Sequence, residues 1–301
     1  MKLALGTVQF GMDYGISNNL GQVSQGEIAS ILSYAKDHGI NTLDCAPVYG
    51  QSEEILGNIP ESQSFSIVSK IPALAENESS IIPSFEQTLT ALKRKTIETL
   101  LFHDANTLLS HPNSVHFAKE ICQLKQQNLI NRIGISVYNL EQVTAAIERL
   151  DIDIIQAPVN LIDQRFLQQE MQFLLNKHGI ALHTRSAFLQ GLLLMDEDKL
   201  PAQFSVYQPL FSTITQQANR LKISKLALAL AFLQQTINHQ SQNQTATMNC
   251  IEKIVVGCCS TKQLSEIIDA YNIYQQTDFS IVNWNAFSRS DIMLINPSYW
   301  Q

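Results

Sequence analysis

Four ionisable side chains follow three apolar segments of the sequence, and together they have the chemistry to protonate a carbonyl oxygen. Asp44 and Tyr49 share the stretch "DCAPVYG". Lys70 ends "FSIVSK", and His103 ends "IETLLFH". A free tyrosine has a pKa of ~10, and a nearby lysine ammonium is expected to favour the phenolate and lower that pKa. A carboxylate paired with the lysine would hold the ammonium charged, and a neutral histidine could orient the carbonyl oxygen.

Each of these residues also has an ordinary structural explanation. Asp44 could cap a loop at the end of a strand, Tyr49 could be a surface tyrosine, and His103 could be a hydrogen-bonded core histidine. Lys70 could be solvated at the rim of a sheet, or could form a Schiff base as in barrel aldolases. Because all four follow successive apolar runs, a shared site is favoured over unrelated roles. The sequence therefore predicts Tyr49, Lys70, Asp44 and His103 as catalytic residues.

Eight short apolar runs predict strands, and amphipathic segments lie between them. The runs cover residues 2–7, 41–45, 65–70, 97–103, 132–136, 153–158, 180–185 and 253–258. Helical spacing covers 26–39 and roughly 80–93, 114–128, 140–149, 164–178, 224–237 and 262–274. Continuous apolar runs indicate strands buried on both faces, so eight strand–helix repeats favour an α/β fold, a (β/α)8 TIM barrel. A doubly wound sheet is the alternative, but "LGTVQFGMDYG" lacks its G-x-G-x-x-G turn.

The pattern predicts one domain over residues 1–301, because no linker or internal repeat divides the chain. The polar segment 238–249, "NHQSQNQTATMN", predicts a surface loop. Residues 275–301 are expected to form a C-terminal tail near the mouth of the barrel. The polar residues that end the strands should point into one bowl, since active sites of this fold lie at the carboxyl ends of the strands.

Composition and charge narrow the classes of partner and compartment. The net charge of −7 and the absence of any run of five or more Lys and Arg argue against nucleic-acid and anionic-membrane partners. No apolar run approaches the ~20 residues of a membrane span, and "MKLALGTVQFG" lacks the features of a signal peptide. The five cysteines match no zinc or redox spacing, so we expect reduced thiols, a cytoplasmic location and no metal site. The oligomeric state stays open.

Eight motifs resemble, in order, the successive barrel motifs of the aldo-keto reductases. They are "LGTVQFG", "LDCAPVYGQSEEILG", "VSKIP", "LLFHD", "GISVYN", "IIQAPVNLID", "SAFLQGLL" and "VVGCCSTKQLSE". The likeness spans residue 3 to about 270, and "DCAPVYG-x-SE-x-x-LG" is its most specific part. The resemblance implies a TIM barrel, a bound nicotinamide cofactor (usually NADPH) and carbonyl reduction. It also implies Tyr49 as general acid, with Lys70, Asp44 and His103 in support.

The same resemblance implies that Ser136 and Gln156 hold the nicotinamide carboxamide. Further cofactor contacts are expected at the strand ends and in the loops that follow them: Gly6, Thr7, Arg185, Ser186, Phe188, Gly191, Gly257, Ser260, Gln263 and Glu266. The helix that begins near residue 262, capped by Ser260 or Thr261, should offer free N–H groups to an anion.

Four positions depart from the family pattern. Arg185 stands where the family commonly has an aromatic residue on which nicotinamide stacks, although a guanidinium plane could stack or pair with phosphate. Val137 stands where the family often has an asparagine directly after the serine of the fifth strand, here Ser136. After the eighth strand the family usually carries an arginine or lysine for the 2′-phosphate of NADPH, and Lys262 is the candidate for this role here. Ile267 stands where the family often has an asparagine after the glutamate, here Glu266. These departures leave NADP and NAD open as alternatives.

The expected function is that of an NAD(P)H-dependent oxidoreductase that reduces a small aldehyde or ketone, with a sugar-derived carbonyl as the candidate substrate. The residues expected to line its pocket are aromatic: Tyr14, Phe188, Trp284, Phe287 and Trp300. The alternative is a cofactor-binding barrel that acts mainly as a regulatory or partner subunit with little turnover, as some relatives do with membrane channels.

Overall fold

Eight parallel strands close into a barrel in the computed structural model of the chain, which describes residues 1–242 and 250–300. The strands are Leu3–Gly6 (β1), Thr42–Asp44 (β2), Ser66–Ile71 (β3), Ile97–Phe102 (β4), Ile130–Ser136 (β5), Ile154–Pro158 (β6), Ala181–Arg185 (β7) and Ile251–Val256 (β8). Each strand pairs with the next along the chain, and β1 also pairs with β8, where Leu3 lies opposite Ile254. The predicted barrel is therefore confirmed.

All carboxyl ends of the strands lie at one edge of the barrel, because every pairing is parallel. We call this edge the mouth. Inside the barrel, Val68, Leu101 and Ile154 form a small cluster of their own. Val68 lies two residues before Lys70 on β3, so both side chains point to the same face of the strand. Apolar residues thus fill the barrel interior and leave the polar residues to the mouth.

The helices surround the strands. Their bounds are Val8–Gly11 (α1), Gln25–Asp37 (α2), Ser52–Asn58 (α3), Ile82–Leu92 (α4), Ala105–Leu109 (α5), Ser114–Gln126 (α6), Leu140–Arg149 (α7), Gln169–His178 (α8), Gln208–Leu221 (α9), Lys225–Gln242 (α10), Thr261–Asn272 (α11) and Ile292–Ile295 (α12). The predicted apolar stripe of α2 is confirmed, since Ile28, Ile31, Leu32 and Ala35 are all buried. Ser24 caps this helix by accepting a hydrogen bond from the backbone N–H of Glu27.

Two segments differ from the expectation. Helix α10 continues to Gln242, so residues 238–242 of the predicted surface loop are helical, and residues 243–249 lie outside the described residues. Polarity alone does not end a helix, because glutamine is a good helix former. The helical pattern expected from residue 164 begins as a 3₁₀ turn at Arg165–Leu167, and α8 itself starts at Gln169.

The C-terminal tail contacts the loop that follows β6. The side-chain amide of Gln164 donates to the carbonyl oxygen of Trp284 at 2.9 Å. The backbone N–H of Arg289 donates to the carbonyl oxygen of Ile162, also at 2.9 Å. These bonds hold the tail against a loop on the mouth side of the barrel. Within the described residues, no helix is both long and apolar enough to cross a membrane.

Candidate active site

The loop after β2 carries Tyr49 back toward the barrel axis. The backbone N–H of Tyr49 donates to the carbonyl oxygen of Ala46 at 3.0 Å, which closes a tight turn. Gly50 follows with φ +58°, and a Cβ there would lie 2.3 Å from the carbonyl oxygen of Gly11. Only glycine fits both this left-handed backbone and this close approach. The turn therefore depends on Gly50, and it places Tyr49 above the ends of β2 and β3.

Lys70 connects the three polar groups that surround it. Its ammonium donates to Asp44 Oδ2 at 2.9 Å, to the carbonyl oxygen of Cys45 at 2.8 Å and to the hydroxyl of Tyr49 at 3.2 Å. The side chain of Lys70 is 0% exposed, so its charge depends on these partners. An ammonium has three N–H donors, and all three are used here. The structure thus brings Asp44, Tyr49 and Lys70 together as predicted.

Both carboxylate oxygens of Asp44 accept hydrogen bonds. Oδ2 faces Lys70, and Oδ1 accepts from the side-chain amide of Gln156 at 2.7 Å. Thr7 holds the backbone of the same residue, because its backbone N–H and its hydroxyl both donate to the carbonyl oxygen of Asp44 at 3.1 Å. Ser52, at the start of α3, donates to the Thr7 hydroxyl at 2.8 Å. The carboxylate is thus held rigidly on two sides.

The pKa of Tyr49 moves in the direction opposite to the sequence-based expectation. Burial raises the pKa of the phenol, and the charge of Lys70 offsets that effect only in part. Burial also opposes the charge on Lys70, but Asp44 and Tyr49 more than compensate, so the pKa of Lys70 lies above its usual value. The prediction of a lowered tyrosine pKa is therefore wrong, because it considered the charge of Lys70 and left out the desolvation of the phenol.

His103 approaches Tyr49 edge-on. The two ring centroids are 5.8 Å apart with an interplanar angle of 88°. Burial, followed by the positive charge of Lys70, lowers the pKa of His103 to about 4, so the imidazole is neutral near pH 7. No hydrogen bond joins either ring nitrogen to another described residue, which leaves both nitrogens available to a ligand. The fourth predicted catalytic residue therefore lies beside the phenol.

Ser136 and Gln156 are neighbours across β5 and β6, where they face each other in register. Ser136 is 3% exposed and Gln156 is 1% exposed. The amide nitrogen of Gln156 is bound to Asp44, whereas its carbonyl oxygen and the hydroxyl of Ser136 bond to no described residue. One open acceptor and one open hydroxyl thus lie side by side at the mouth.

The loop after β7 carries four of the predicted cofactor residues. Arg185 ends the strand, and its guanidinium carbon lies 4.3 Å from the centroid of the Tyr138 ring. Ser186 follows in a left-handed conformation with φ +59°. Phe188 packs against the hydrophobic core, and Gly191 has φ +91° with no room for a Cβ next to Ser17. The loop is therefore shaped by its contact with the segment after β1.

The start of α11 is closed by the protein itself. Ser260 accepts a hydrogen bond from the N–H of Gln263 at 3.1 Å, and the Gln263 side chain accepts from the N–H of Cys259 at 2.7 Å. The N–H of Thr261 donates to the carboxylate of Glu27, on α2, at 2.5 Å. The expectation that this helix offers free N–H groups to an anion is therefore wrong at these positions. An acid from a neighbouring helix occupies the place that a phosphate was expected to take.

The remaining predicted contact residues differ in their surroundings. Thr7 is 0% exposed, and its hydroxyl is used within the protein. A Cβ on Gly6 would meet Val255 at 3.1 Å, and one on Gly257 would meet the side-chain amide of Gln9 at 2.8 Å. Glu266 lies near the surface, 4.0 Å from the ammonium of Lys262.

Of the aromatic residues expected to line the substrate pocket, Tyr14 is hydrogen-bonded to the side chain of Gln190 and lies within reach of the charge of Arg185. Phe287 is 2% exposed and packs within the hydrophobic core. Trp284 packs against the rings of Phe232 and Phe279, and Trp300 packs edge-on against Phe204. Both tryptophans are only half-buried, so part of each side chain faces solvent.

Sequence reasoning missed three residues near the site. Glu53 is 5% exposed and accepts hydrogen bonds from Ser69, the residue before Lys70, at 2.5 Å and from Thr88 at 3.2 Å. Its place near the site could have been inferred, since it lies in the same stretch as Tyr49, "DCAPVYGQSEEILG". Tyr138 lies two residues after Ser136, and this spacing could have indicated that it lies near the site. Glu27 carried no signal, because its role depends on two helices that are far apart in the sequence.

The chain matches one protein family and several known proteins. The model of the "Aldo/keto reductase family" matches residues 2–288. The D-arabinose 1-dehydrogenase of Saccharomyces cerevisiae is 25% identical over an alignment of 129 residues, which covers 39% of this chain and 38% of the yeast protein. The match thus spans well under half the length of that relative.

Two solved structures share the fold. A holo-form aldo-keto reductase from Bacillus halodurans superposes with a TM-score of 0.68 at 16% identity, covering 94% of each chain. An aldo-keto reductase from Klebsiella pneumoniae in complex with NADPH gives 0.66 at 18% identity, covering 90% of this chain and 86% of that one. At these identities the likeness shows the fold alone.

Proposed function

Since the chain belongs to the aldo/keto reductase family and is an NAD(P)-dependent oxidoreductase, we propose that Tyr49 is the proton donor when it reduces a small carbonyl compound. One observation carries this proposal. The buried ammonium of Lys70 is bonded to both the Tyr49 hydroxyl and the Asp44 carboxylate. A phenol in contact with a buried, fixed cation can release its proton to a substrate because the phenolate that remains is stabilised where it forms.

The family uses NADP(H), which supplies a hydride to the carbonyl carbon when it is bound. The chain has a donor set that fits the carboxamide of this cofactor. The open carbonyl oxygen of Gln156 can accept from a carboxamide –NH2, and the open hydroxyl of Ser136 can donate to its oxygen. Because Gln156 also holds Asp44, a side chain that orients the cofactor also touches the acid–base network.

The raised pKa of Tyr49 has a simple consequence for the proposed proton transfer. A phenol with a pKa above its ordinary value is fully protonated at neutral pH, so the donor is loaded before substrate arrives. As the carbonyl oxygen gains negative charge, the proton moves from Tyr49 to that oxygen. Lys70 is already hydrogen-bonded to the phenol oxygen, so its charge stabilises the new phenolate without any movement.

His103 would set the position of the carbonyl oxygen. Its ring is neutral, so one ring nitrogen carries a proton and can donate to the substrate oxygen. A protonated imidazole would add a second positive charge near Lys70, which burial and the Lys70 charge both oppose. We therefore assign His103 an orienting role and leave the proton transfer to Tyr49.

The proposed substrate class is a small aldehyde or ketone, with a sugar-derived carbonyl as the candidate. The relative from yeast is named for a pentose, and its match covers 38% of its length, so the sugar is part of the proposal. Cys45, Cys122, Cys258 and Cys259 are free thiols, which fits a reducing compartment, and we propose the cytoplasm. The arrangement of the four residues favours turnover over a role as a partner subunit.

The test is the variant Tyr49→Phe, assayed by the loss of NADPH absorbance with a panel of aldehydes. We expect kcat to fall by ~10²–10⁴-fold, since the loss of a general acid costs that much. Binding of NADPH, followed by quenching of tryptophan fluorescence, should survive the change. The control is Tyr299→Phe, which alters a phenol that is 52% exposed. Turnover near that of the wild type in Tyr49→Phe would remove Tyr49 as the acid.

A further inference from the structure

The carboxyl group of Glu53 is buried at the start of α3 and joins three elements of the fold. Ser69 on β3 donates to one of its oxygens at 2.5 Å, and Thr88 on α4 donates to the other at 3.2 Å. Glu53 is 5% exposed, Ser69 0% and Thr88 1%. Burial of a carboxyl group costs free energy unless its oxygens accept hydrogen bonds, so these two hydroxyls hold Glu53 in place.

The bond from Ser69 reaches the strand that carries Lys70. Ser69 and Lys70 are consecutive residues of β3, and consecutive side chains on a strand point to opposite faces of the sheet. Lys70 points into the mouth, so Ser69 points outward, toward the helices that surround the barrel. Glu53 therefore binds β3 from the outside, one residue away from the ammonium that contacts Tyr49.

The position of Tyr49 depends on the same helix. The backbone N–H of Ser52, the first residue of α3, donates to the carbonyl oxygen of Tyr49 at 3.1 Å. The hydroxyl of Ser52 donates to Thr7, which is itself bonded to Asp44. Ser52 therefore fixes the start of α3 toward Asp44, and Glu53, the next residue, fixes it toward β3.

The bond from Thr88 lies in a different setting. Helices α3 and α4 already pack closely at Gly57, where a Cβ would lie 2.0 Å from the carbonyl oxygen of Ala91. Removing the Thr88 hydroxyl thus leaves another contact that holds these two helices together. Helix α4 also carries none of the four predicted catalytic residues. Of the two bonds to Glu53, the one from Ser69 therefore has the more direct effect on the site.

We propose that Glu53 is a positioning residue, which keeps the Tyr49 hydroxyl within hydrogen-bond distance of the Lys70 ammonium by binding Ser69 on the outer face of β3. This inference rests on the proposed function of Tyr49 and deepens it. The hydroxyl and the ammonium are 3.2 Å apart, and the ammonium stabilises the phenolate only when it lies next to it. A misplacement of about 1 Å can cost roughly 10²-fold in rate, so a small shift of α3 is enough to slow the reaction.

The experiment compares Ser69→Ala with Thr88→Val, since each change removes one hydroxyl from the same buried carboxyl group. Rates are expressed per NADPH-binding site, so that unfolded protein does not contribute. We expect kcat to fall by about tenfold or more in Ser69→Ala and by less than about threefold in Thr88→Val, with Kd for NADPH within about twofold of the wild-type value in both. The urea midpoints of both variants should fall by similar amounts, because each loses one buried hydrogen bond.

Two further changes test the carboxyl group itself and the route through Tyr49. Glu53→Gln keeps an acceptor oxygen for Ser69, so its kcat should stay within about threefold of the wild type. In the Tyr49→Phe background the phenol is gone, so adding Ser69→Ala should lower the residual turnover by less than about twofold. The matched control is Glu54→Gln, which changes the exposed neighbour of Glu53 and should keep the wild-type kcat.

Three outcomes would overturn the inference while the proposed function stands. The first is an equal effect on kcat in Ser69→Ala and Thr88→Val. The second is a loss from Ser69→Ala that is the same with and without the Tyr49 phenol. The third is a loss in Glu53→Gln as large as that in Ser69→Ala, since the bond to Ser69 would then not be the cause. Wild-type turnover in Tyr49→Phe would overturn the proposed function and the inference with it.

Discussion

The two sides of the mouth differ in how their charges are paired. On the tetrad side, formed by Asp44, Tyr49, Lys70 and His103, the ammonium uses all three donors and the carboxylate uses both oxygens within the protein. On the opposite side, formed by the loop after β7 and the start of α11, Arg185 has no acid beside it. Glu27, which forms no ion pair with any described residue, covers the first N–H of α11.

Under the proposed function, this difference assigns proton transfer to the tetrad side and the choice of ligand to the opposite side. A charge network that is complete before substrate arrives needs no rearrangement during proton transfer, and such preorganisation is the main source of electrostatic catalysis. Charges without internal partners do the opposite, since they favour ligands that supply the missing partner and disfavour ligands of the same sign. We therefore expect changes on the tetrad side to affect stability and rate, and changes on the opposite side to affect the choice of ligand.

The strongest test of the tetrad side is Lys70→Met. Removing the ammonium leaves Asp44 as a buried carboxylate without its cation, and breaking such a pair costs roughly 3–5 kcal/mol of unfolding free energy. Without the cation, kcat should also fall by ~10²-fold or more, because the phenolate loses its stabilising charge. Urea denaturation and steady-state rates measure the two effects.

Two controls determine whether the missing charge is the cause. Lys262→Met removes an ammonium that is 86% exposed, and should change the unfolding free energy by less than about 0.5 kcal/mol. The double variant Asp44→Asn with Lys70→Met should regain part of the stability, because no lone charge remains. Full stability in Lys70→Met alone would contradict the network described for this side.

A smaller effect is expected from His103 as the pH falls. Its pKa is about 4 in the folded chain, against an ordinary value of 6.5, so the unfolded chain binds the proton first. The stability contributed by neutral His103 is present above about pH 6.5 and is lost as the pH falls toward 4. By linkage, the loss reaches about 2 kcal/mol near pH 5. Unfolding free energies at about pH 7 and pH 5 should show this loss in the wild type and not in His103→Gln.

The comparison with His103→Gln cancels the contributions of the other histidines and the carboxylates, since both proteins carry them. The two proteins should therefore differ in pH slope and not only in stability at neutral pH. Equal slopes would mean that His103 is not held neutral by its surroundings, and the orienting role assigned to its neutral ring would lose its basis.

The tetrad side could be predicted from the sequence because local patterns determine it. Apolar runs mark the strands, and parallel pairing places the last residue of each strand at one edge, so Lys70 and Asp44 meet once the barrel closes. The loop "DCAPVYG" supplies Tyr49 through a turn that its own glycine permits. Each step needs only a strand and the few residues after it.

The opposite side could not be predicted in the same way, because its interactions join segments that are far apart in the sequence. Glu27 reaches Thr261 across two packed helices, and no spacing rule connects these positions. The direction of the Tyr49 pKa shift was missed for a related reason. A cation within reach can be inferred from strand order, but the degree of burial that outweighs it depends on the packing of the whole mouth.

The smallest predicted effect is on cofactor preference, and it tests whether Glu27 disfavours a phosphate group on the cofactor. If the expected cofactor contacts at Ser260 and Gln263 are made, an additional phosphate on the cofactor would approach a carboxylate that already holds the start of α11. Interactions of a charge with a helix terminus amount to about 0.3–1 kcal/mol. Glu27→Gln should therefore lower Kd for NADPH relative to Kd for NADH by about two- to fivefold, as measured by fluorescence titration, whereas Glu86→Gln on the surface of α4 should leave the ratio unchanged. An unchanged ratio in both variants would place the cofactor's phosphate away from α11, and Glu27 would then only join two helices.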